Sequence, residues 1–133
     1  MRYMLDTNIC IYVIKHDPEK VFRKLQKIDP EDVCISSITY AELAYGVEKS
    51  AQPERNRLAL SMLLSNIEIV SFDDVAADEY GQIRAGLEKQ GTPIGPLDMM
   101  IAAHGLALGC TVVTNNVKEF SRVKGLKIVN WAE

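Results

Sequence analysis

The chain contains no apolar run near the 18 or so residues a membrane-spanning helix needs, so a helical membrane protein is not expected. It also lacks any C-x-x-C. Its three cysteines, Cys10, Cys34 and Cys110, are odd in number, widely spaced and set among aliphatics. That supports neither a zinc site nor a disulfide framework, and buried reduced thiols are expected instead. Basic excess is missing too: 15 Lys and Arg stand against 18 Asp and Glu, for a net charge of −3. A broadly basic nucleic-acid binder is disfavoured, although a bound cation with a local basic patch can still handle phosphates. Lys15, Lys20, Arg23, Lys24 and Lys27 form one such group, and Lys118, Arg122, Lys124 and Lys127 another; each reads equally well as a solvated helix face. The two histidines, His16 and His104, fit no H-E-x-x-H or triad spacing, and His104 reads as a helix-face residue in an Ala- and Leu-rich segment. There is no G-x-x-x-x-G-K-S/T and no G-x-G-x-x-G, so neither phosphate-cradling loop is present.

What is present is an ordinary globular composition, 47% hydrophobic and 25% charged over 133 residues. One domain over residues 1–133 is expected, large enough to bury about two thirds of its unfolded surface. The opening Met1-Arg2-Tyr3-Met4-Leu5-Asp6 meets an acid too early for a signal peptide and reads as a first strand, which points to a cytoplasmic protein.

Short apolar strands are expected at 2–5, 33–36, 67–71, 111–114 and 127–130. Helices are expected at about 8–16, 18–27, 38–50, 54–65, 74–90, 98–108 and 116–120. Strands alternating with helices indicate an α/β fold with a parallel sheet of four to five strands, covered on both faces. Ala76, Tyr80, Ile83 and Leu87 mark the core stripe of one helix. Gly91-Thr92-Pro93-Ile94-Gly95-Pro96 forbids helix until Leu97-Asp98, and Gly109 closes the helix that follows.

Four strings then place polar groups just past apolar segments: Leu5-Asp6-Thr7-Asn8, Tyr40-Ala41-Glu42-Leu43, Pro96-Leu97-Asp98-Met99, and Thr114-Asn115-Asn116 with Glu119. Each has a plain structural reading. Asp6 and Asp98 suit helix N-caps, and Thr39-x-x-Glu42 and Asn116-x-x-Glu119 suit capping boxes. Asp73-Asp74 has the same placement and reads as ordinary cap residues. Together the four strings say more. In an open parallel sheet, ligands gather at the carboxyl ends of the strands, and Asp6, Glu42 and Asn116/Glu119 follow three different strands. Two carboxylates about 4 Å apart repel by roughly 4 kcal/mol at an effective dielectric near 20. Such a group is tolerated by sharing a proton or binding a cation, and all-oxygen donors suit Mg²⁺ or Mn²⁺. A dehalogenase-type phosphatase needs D-x-D after the first strand, but Asn8 stands there. A phosphorylation receiver needs paired acids before its phosphoacceptor strand, which are missing. A metal-dependent nuclease is the reading left.

These strings resemble the PIN-domain ribonucleases, and more closely the VapC toxins of bacterial toxin–antitoxin pairs. The matching residues are Met4-Leu5-Asp6-Thr7-Asn8, Ile35-Ser36-Ser37-Ile38-Thr39-x-Ala41-Glu42-Leu43-x-x-Gly46, Pro53-Glu54-Arg55-Asn56, Gly91-x-Pro93-Ile94-Gly95-x-x-Asp98 and Thr114-Asn115-Asn116-x-x-Glu119-Phe120. The resemblance implies a three-layer α/β/α sandwich and Mg²⁺- or Mn²⁺-dependent cleavage of RNA. It assigns Asp6, Glu42 and Asp98 to the acidic metal-binding triad, with Glu119 completing the catalytic set. Many PIN domains carry Asp where this chain has Asn116, which offers an oxygen but no charge. One metal is therefore expected rather than two. Thr7, Asn8 and Thr114 would orient the carboxylates.

The subgroup resembled most cuts initiator tRNA in its anticodon stem-loop. The implied partners are a VapB-type antitoxin lying across the cleft and a second copy of the chain in a homodimer. Ile9, Tyr12 and Val13 with Phe22 and Leu25 are expected to form either the antitoxin's groove or ordinary core. A non-catalytic PIN-like binding module and a DNA-directed nuclease remain as alternative functions.

Overall fold

A computed structural model describes residues 2–133; Met1, where the expected domain begins, lies outside the described residues. Five strands form one parallel sheet in the order β3-β2-β1-β4-β5: β1 Tyr3–Leu5, β2 Val33–Ser36, β3 Glu68–Val70, β4 Thr111–Val113 and β5 Lys127–Val129. Tyr3 stands beside Val33 on one side and Thr111 on the other. The helices are α1 Thr7–Lys15, α2 Glu19–Gln26, α3 Ser37–Glu48, α4 Pro53–Leu64, α5 Asp74–Lys89, α6 Pro96–Leu108 and α7 Val117–Phe120.

The strands are short, but alternate side chains divide between two cores, as a period of two requires. Leu5, Val33, Ile35 and Val113 pack with Ile9, Val13, Leu43 and Leu60 on one face. Met4, Cys34 and Val112 pack with Leu87, Met99, Ile101, Ala102 and Phe120 on the other. The expected three-layer α/β/α sandwich is therefore the observed one, and all three cysteines are buried free thiols.

Chain direction reverses across the sheet between β1 and β4: β2 and β3 lie to one side of β1, then the chain crosses to β4 on the other. That is the switch point at which open α/β sheets leave a crevice. Helix α6 runs back antiparallel to the strands before entering β4, so its N-terminus also lies at their carboxyl edge. Its fit against the sheet is tight. A Cβ on Gly105 would come within 2.5 Å of Val112 Cγ2. Gly105→Ala is expected to cost about 1–3 kcal/mol through overpacking, read as a lowered melting temperature.

Three local expectations are corrected. Helix α6 begins at Pro96, not Asp98: Pro96 occupies the first helical position after Gly95, where its missing N–H costs nothing. Asp98 is thus inside the first turn and is not the N-cap. Thr39 and Glu42 form no capping box, because Ser36 caps α3 by accepting the Ile38 N–H at 3.0 Å. Thr39 is instead fully buried, with no partner for its hydroxyl among the described residues. Asn116 precedes α7, but its side chain makes no capping bond. Asp73 caps α5 as expected, accepting the Ala76 N–H at 3.0 Å.

Candidate active site

Asp6 ends β1 and caps α1, its Oδ1 accepting the Ile9 N–H at 2.9 Å. It is only 4% exposed. Burial pushes its carboxyl up to about 6, opposed by hydrogen bonds from Thr114 and the Ile9 amide; the fields of Asp98 and Glu42 raise it further. Asp98, half-buried in the first turn of α6, is also raised, first by burial and then by Glu119 and Glu42, against a hydrogen bond from Asn116. Glu42 of α3 accepts the Thr7 hydroxyl at 2.5 Å. Glu119 of α7 accepts from Asn116 Nδ2 at 3.0 Å, and the same nitrogen reaches Asp98 Oδ2 at 3.4 Å.

The four acids expected from sequence therefore lie within one another's influence, carried by four different elements. The ion pairs found among the described residues, Arg2–Glu68, Arg23–Glu19, Arg57–Glu48 and Arg84–Glu88, all lie elsewhere. A carboxylate raised first by burial and then by acidic neighbours, with no ion pair among the described residues, is what an all-oxygen cation site looks like in charge terms. The acids are not closed on one point, however. No three Asp, Glu, His or Cys side chains among the described residues stand close enough to enclose an ion. Thr7 draws Glu42, and Asn116 draws Asp98 and Glu119, so binding requires those side chains to turn inward.

The supporting residues divide. Thr7 holds Glu42, and Thr114, fully buried, bonds Asp6 while accepting the Asn116 N–H at 2.9 Å. Asn8 is exposed on α1. Asn116 presents its amide nitrogen to the acids, so a ligand role for its oxygen requires the amide to turn over.

Sequence reasoning missed two contacts beside the site. Asn115 donates to the Tyr12 hydroxyl at 2.9 Å, linking the end of β4 to α1, and its own carbonyl oxygen is buried without a partner. His104, on the face of α6 that meets the interior, is buried with Nδ1 2.8 Å from Ser36 Oγ. No spacing rule could have found either, since each joins segments remote in the chain.

The apolar face expected on α1 and α2 is core: Ile9 and Val13 are buried, and Tyr12, Phe22 and Leu25 pack against them. An open cavity of about 260 Å³ lies instead between α1, α3 and α4. Ile11, Ile14, Leu43 and Leu60 wall it, with Glu42 and Lys15 also in its lining. The basic groups noted near both ends of the chain are mostly exposed.

This α/β sandwich, with acids converging at the switch point, matches a known class over nearly its whole length: the PIN domain family corresponds to residues 3–126. The chain is 47% identical to the tRNA(fMet)-specific endonuclease VapC of Salmonella typhimurium, over 98% of each chain. It is 44% identical to ribonuclease VapC2 of Rickettsia felis, again over 98% of each. The crystal structure of VapBC2 from Rickettsia felis bound to a promoter DNA fragment superposes with a TM-score of 0.92 at 43% identity, covering 98% of this chain and 99% of that one. DNA-bound VapBC from Salmonella typhimurium gives 0.92 at 47% identity, over 98% of both chains. The chain belongs to the PIN-domain family, in its VapC ribonuclease branch.

Proposed function

We propose that this chain is the toxin of a type II toxin–antitoxin pair, acting as a Mg²⁺- or Mn²⁺-dependent endoribonuclease in the cytoplasm. The observation that carries this reading is the gathering of Asp6, Glu42, Asp98 and Glu119 from four elements at one sheet edge, with none of them in an ion pair among the described residues. Asp6, Glu42 and Asp98 would hold the metal, and Glu119 with Asn116 would complete or tune the corner beside Asp98. The bound ion would stabilise negative charge on the scissile phosphate and make water a stronger nucleophile. Thr114 and the Ile9 amide fix the Asp6 carboxylate, while Glu42 would turn from Thr7 to reach the ion. One of these carboxylates takes the proton of the attacking water, and no side chain forms a covalent bond to phosphorus.

Initiator tRNA, cut in its anticodon stem-loop, is the substrate we favour, supported by the 47% identical relatives named for tRNA(fMet). Unstacked loop nucleotides are the form in which RNA enters such a cleft. A VapB-type antitoxin is the partner, and the apolar cavity beside Glu42 is where an inhibitory segment of it would lie. A homodimer of toxin subunits is the assembly we favour.

Expressing the chain without antitoxin and mapping new RNA 5′ ends across the transcriptome tests the substrate. The expected result is one dominant new end in the initiator tRNA anticodon loop. New ends spread over many messenger RNAs would refute the tRNA assignment. Equal cutting of single-stranded DNA by the purified protein would favour the DNA-directed alternative. Purified protein that cuts no RNA in Mn²⁺, even freed of antitoxin, would favour a binding module.

A further inference from the structure

One buried polar contact outside the acid cluster joins two of the elements that carry its members. His104 lies on α6, the helix of Asp98, and is 1% exposed. Its Nδ1 is 2.8 Å from the Oγ of Ser36, which is itself fully buried. Ser36 ends β2 and caps α3, the helix of Glu42, by accepting the Ile38 N–H at 3.0 Å. With that amide on one lone pair, the hydroxyl keeps its proton and a second lone pair, so it pairs with Nδ1 in either neutral tautomer of the ring. The ring meets Phe72 edge-on, centroids 5.4 Å apart, and burial lowers its pKa, so the imidazole stays neutral.

A buried neutral hydrogen bond contributes only about 1 kcal/mol net. A polar ring in an apolar interior also costs free energy wherever its partner is lost. The pair therefore supplies registry more than strength. It is satisfied in one relative setting of α3 and α6, and a slide of either helix leaves two buried polar groups unpaired. Ser37 adds a second tie at the same corner, its Oγ accepting the Phe72 N–H at 3.0 Å.

Resting on the metal-site reading above, we propose that Ser36 and His104 form a positioning link that sets Glu42 against Asp98 and thereby governs how tightly the acid cluster holds a divalent cation. Neither residue touches the reacting atoms. The link acts through the two helices.

The test uses the metal-free full chain titrated with Mn²⁺ by calorimetry, alongside single-turnover RNA cleavage. His104→Leu, which keeps bulk and removes the serine's partner, is expected to weaken Mn²⁺ binding about tenfold or more, the scale seen for groups that orient metal ligands. It should lower the cleavage rate while leaving KM for RNA unchanged. His104→Asn, whose amide can again pair with the serine hydroxyl near the position of Nδ1, should restore most of the affinity. Ser36→Ala breaks the same contact and the α3 cap as well, so adding His104→Leu to it should cost little more than Ser36→Ala alone. In the wild type, ¹⁵N NMR should show a neutral His104 ring.

A folded His104→Leu that binds Mn²⁺ as tightly as wild type overturns the link. So does a loss that His104→Asn fails to restore. Should His104→Leu not fold, His104→Met against His104→Asn makes the same comparison and leaves the Ser36 cap in place. A wild-type chain that binds no Mn²⁺ overturns the metal-site reading, and the link falls with it.

Discussion

Asp6→Asn is expected to lower RNA cleavage by at least about a hundredfold, a loss that even groups outside the ligand set can produce, and to abolish growth inhibition on expression. The substitution keeps almost everything else. Asparagine caps helices as well as aspartate does, so the Ile9 N–H, 2.9 Å from Asp6 Oδ1, retains an acceptor. Shape and size are conserved at a position only 4% exposed. What disappears is a negative charge beside Asp98 and Glu42. The variant should therefore fold as well as wild type and still bind its antitoxin, while failing to cut. Gel assays on initiator tRNA in Mn²⁺, with circular dichroism on the same samples, separate lost chemistry from lost structure. Cleavage at the wild-type rate would remove Asp6 from the site.

The same charge gives the second large effect, on stability. The Asp6 carboxyl titrates near 6 in the fold against 3.8 ordinarily. The folded chain therefore holds this proton more tightly than the unfolded one. Its contribution is most favourable below the unfolded value and is lost as pH rises through about 6, by roughly 3 kcal/mol in total. Asp98, raised for the same reasons, adds in the same direction. Metal-free wild type should lose stability relative to Asp6→Asn between pH 4.5 and pH 7.5. Mn²⁺ should reverse this, because it binds the ionised carboxylates and so stabilises the fold more at pH 7.5 than at pH 4.5. Melts in EDTA and in Mn²⁺ at the two pH values read both effects. Parallel curves for wild type and variant in EDTA would mean that the fold does not raise the Asp6 carboxyl.

The sheet and helices were legible because each strand is a short apolar run followed by a polar break, and each long helix repeats its apolar stripe. Gathering the acids followed from the same regularity: three of them come after strands that a parallel sheet must point one way. Local chemistry was harder to read. Pro96 stood in a run of Gly and Pro that disfavours helix, yet proline at the first helical position is compatible with the turn it begins. Thr39-x-x-Glu42 matched a capping box, but Ser36 took the cap and left Thr39 in the interior. The apolar residues of α1 and α2 carry one signal for core and for groove, and only packing separates Ile9 in the core from Ile11 and Ile14 at the open cavity. His104 looked like one more residue on an alanine-rich helix; its partner lies 68 positions away.

The central claim is that a divalent cation binds at Asp6, with Glu42 and Asp98 turning inward to it. Crystals of the chain soaked in Mn²⁺ and measured at the manganese absorption edge test it most directly. One anomalous peak is predicted at the carboxyl edge between β1 and β4, in contact with carboxylate oxygens of Asp6 and Asp98, and gone in Asp6→Asn. Crystals that show no peak there at saturating Mn²⁺, from a protein that still cuts RNA in EDTA, would contradict the account.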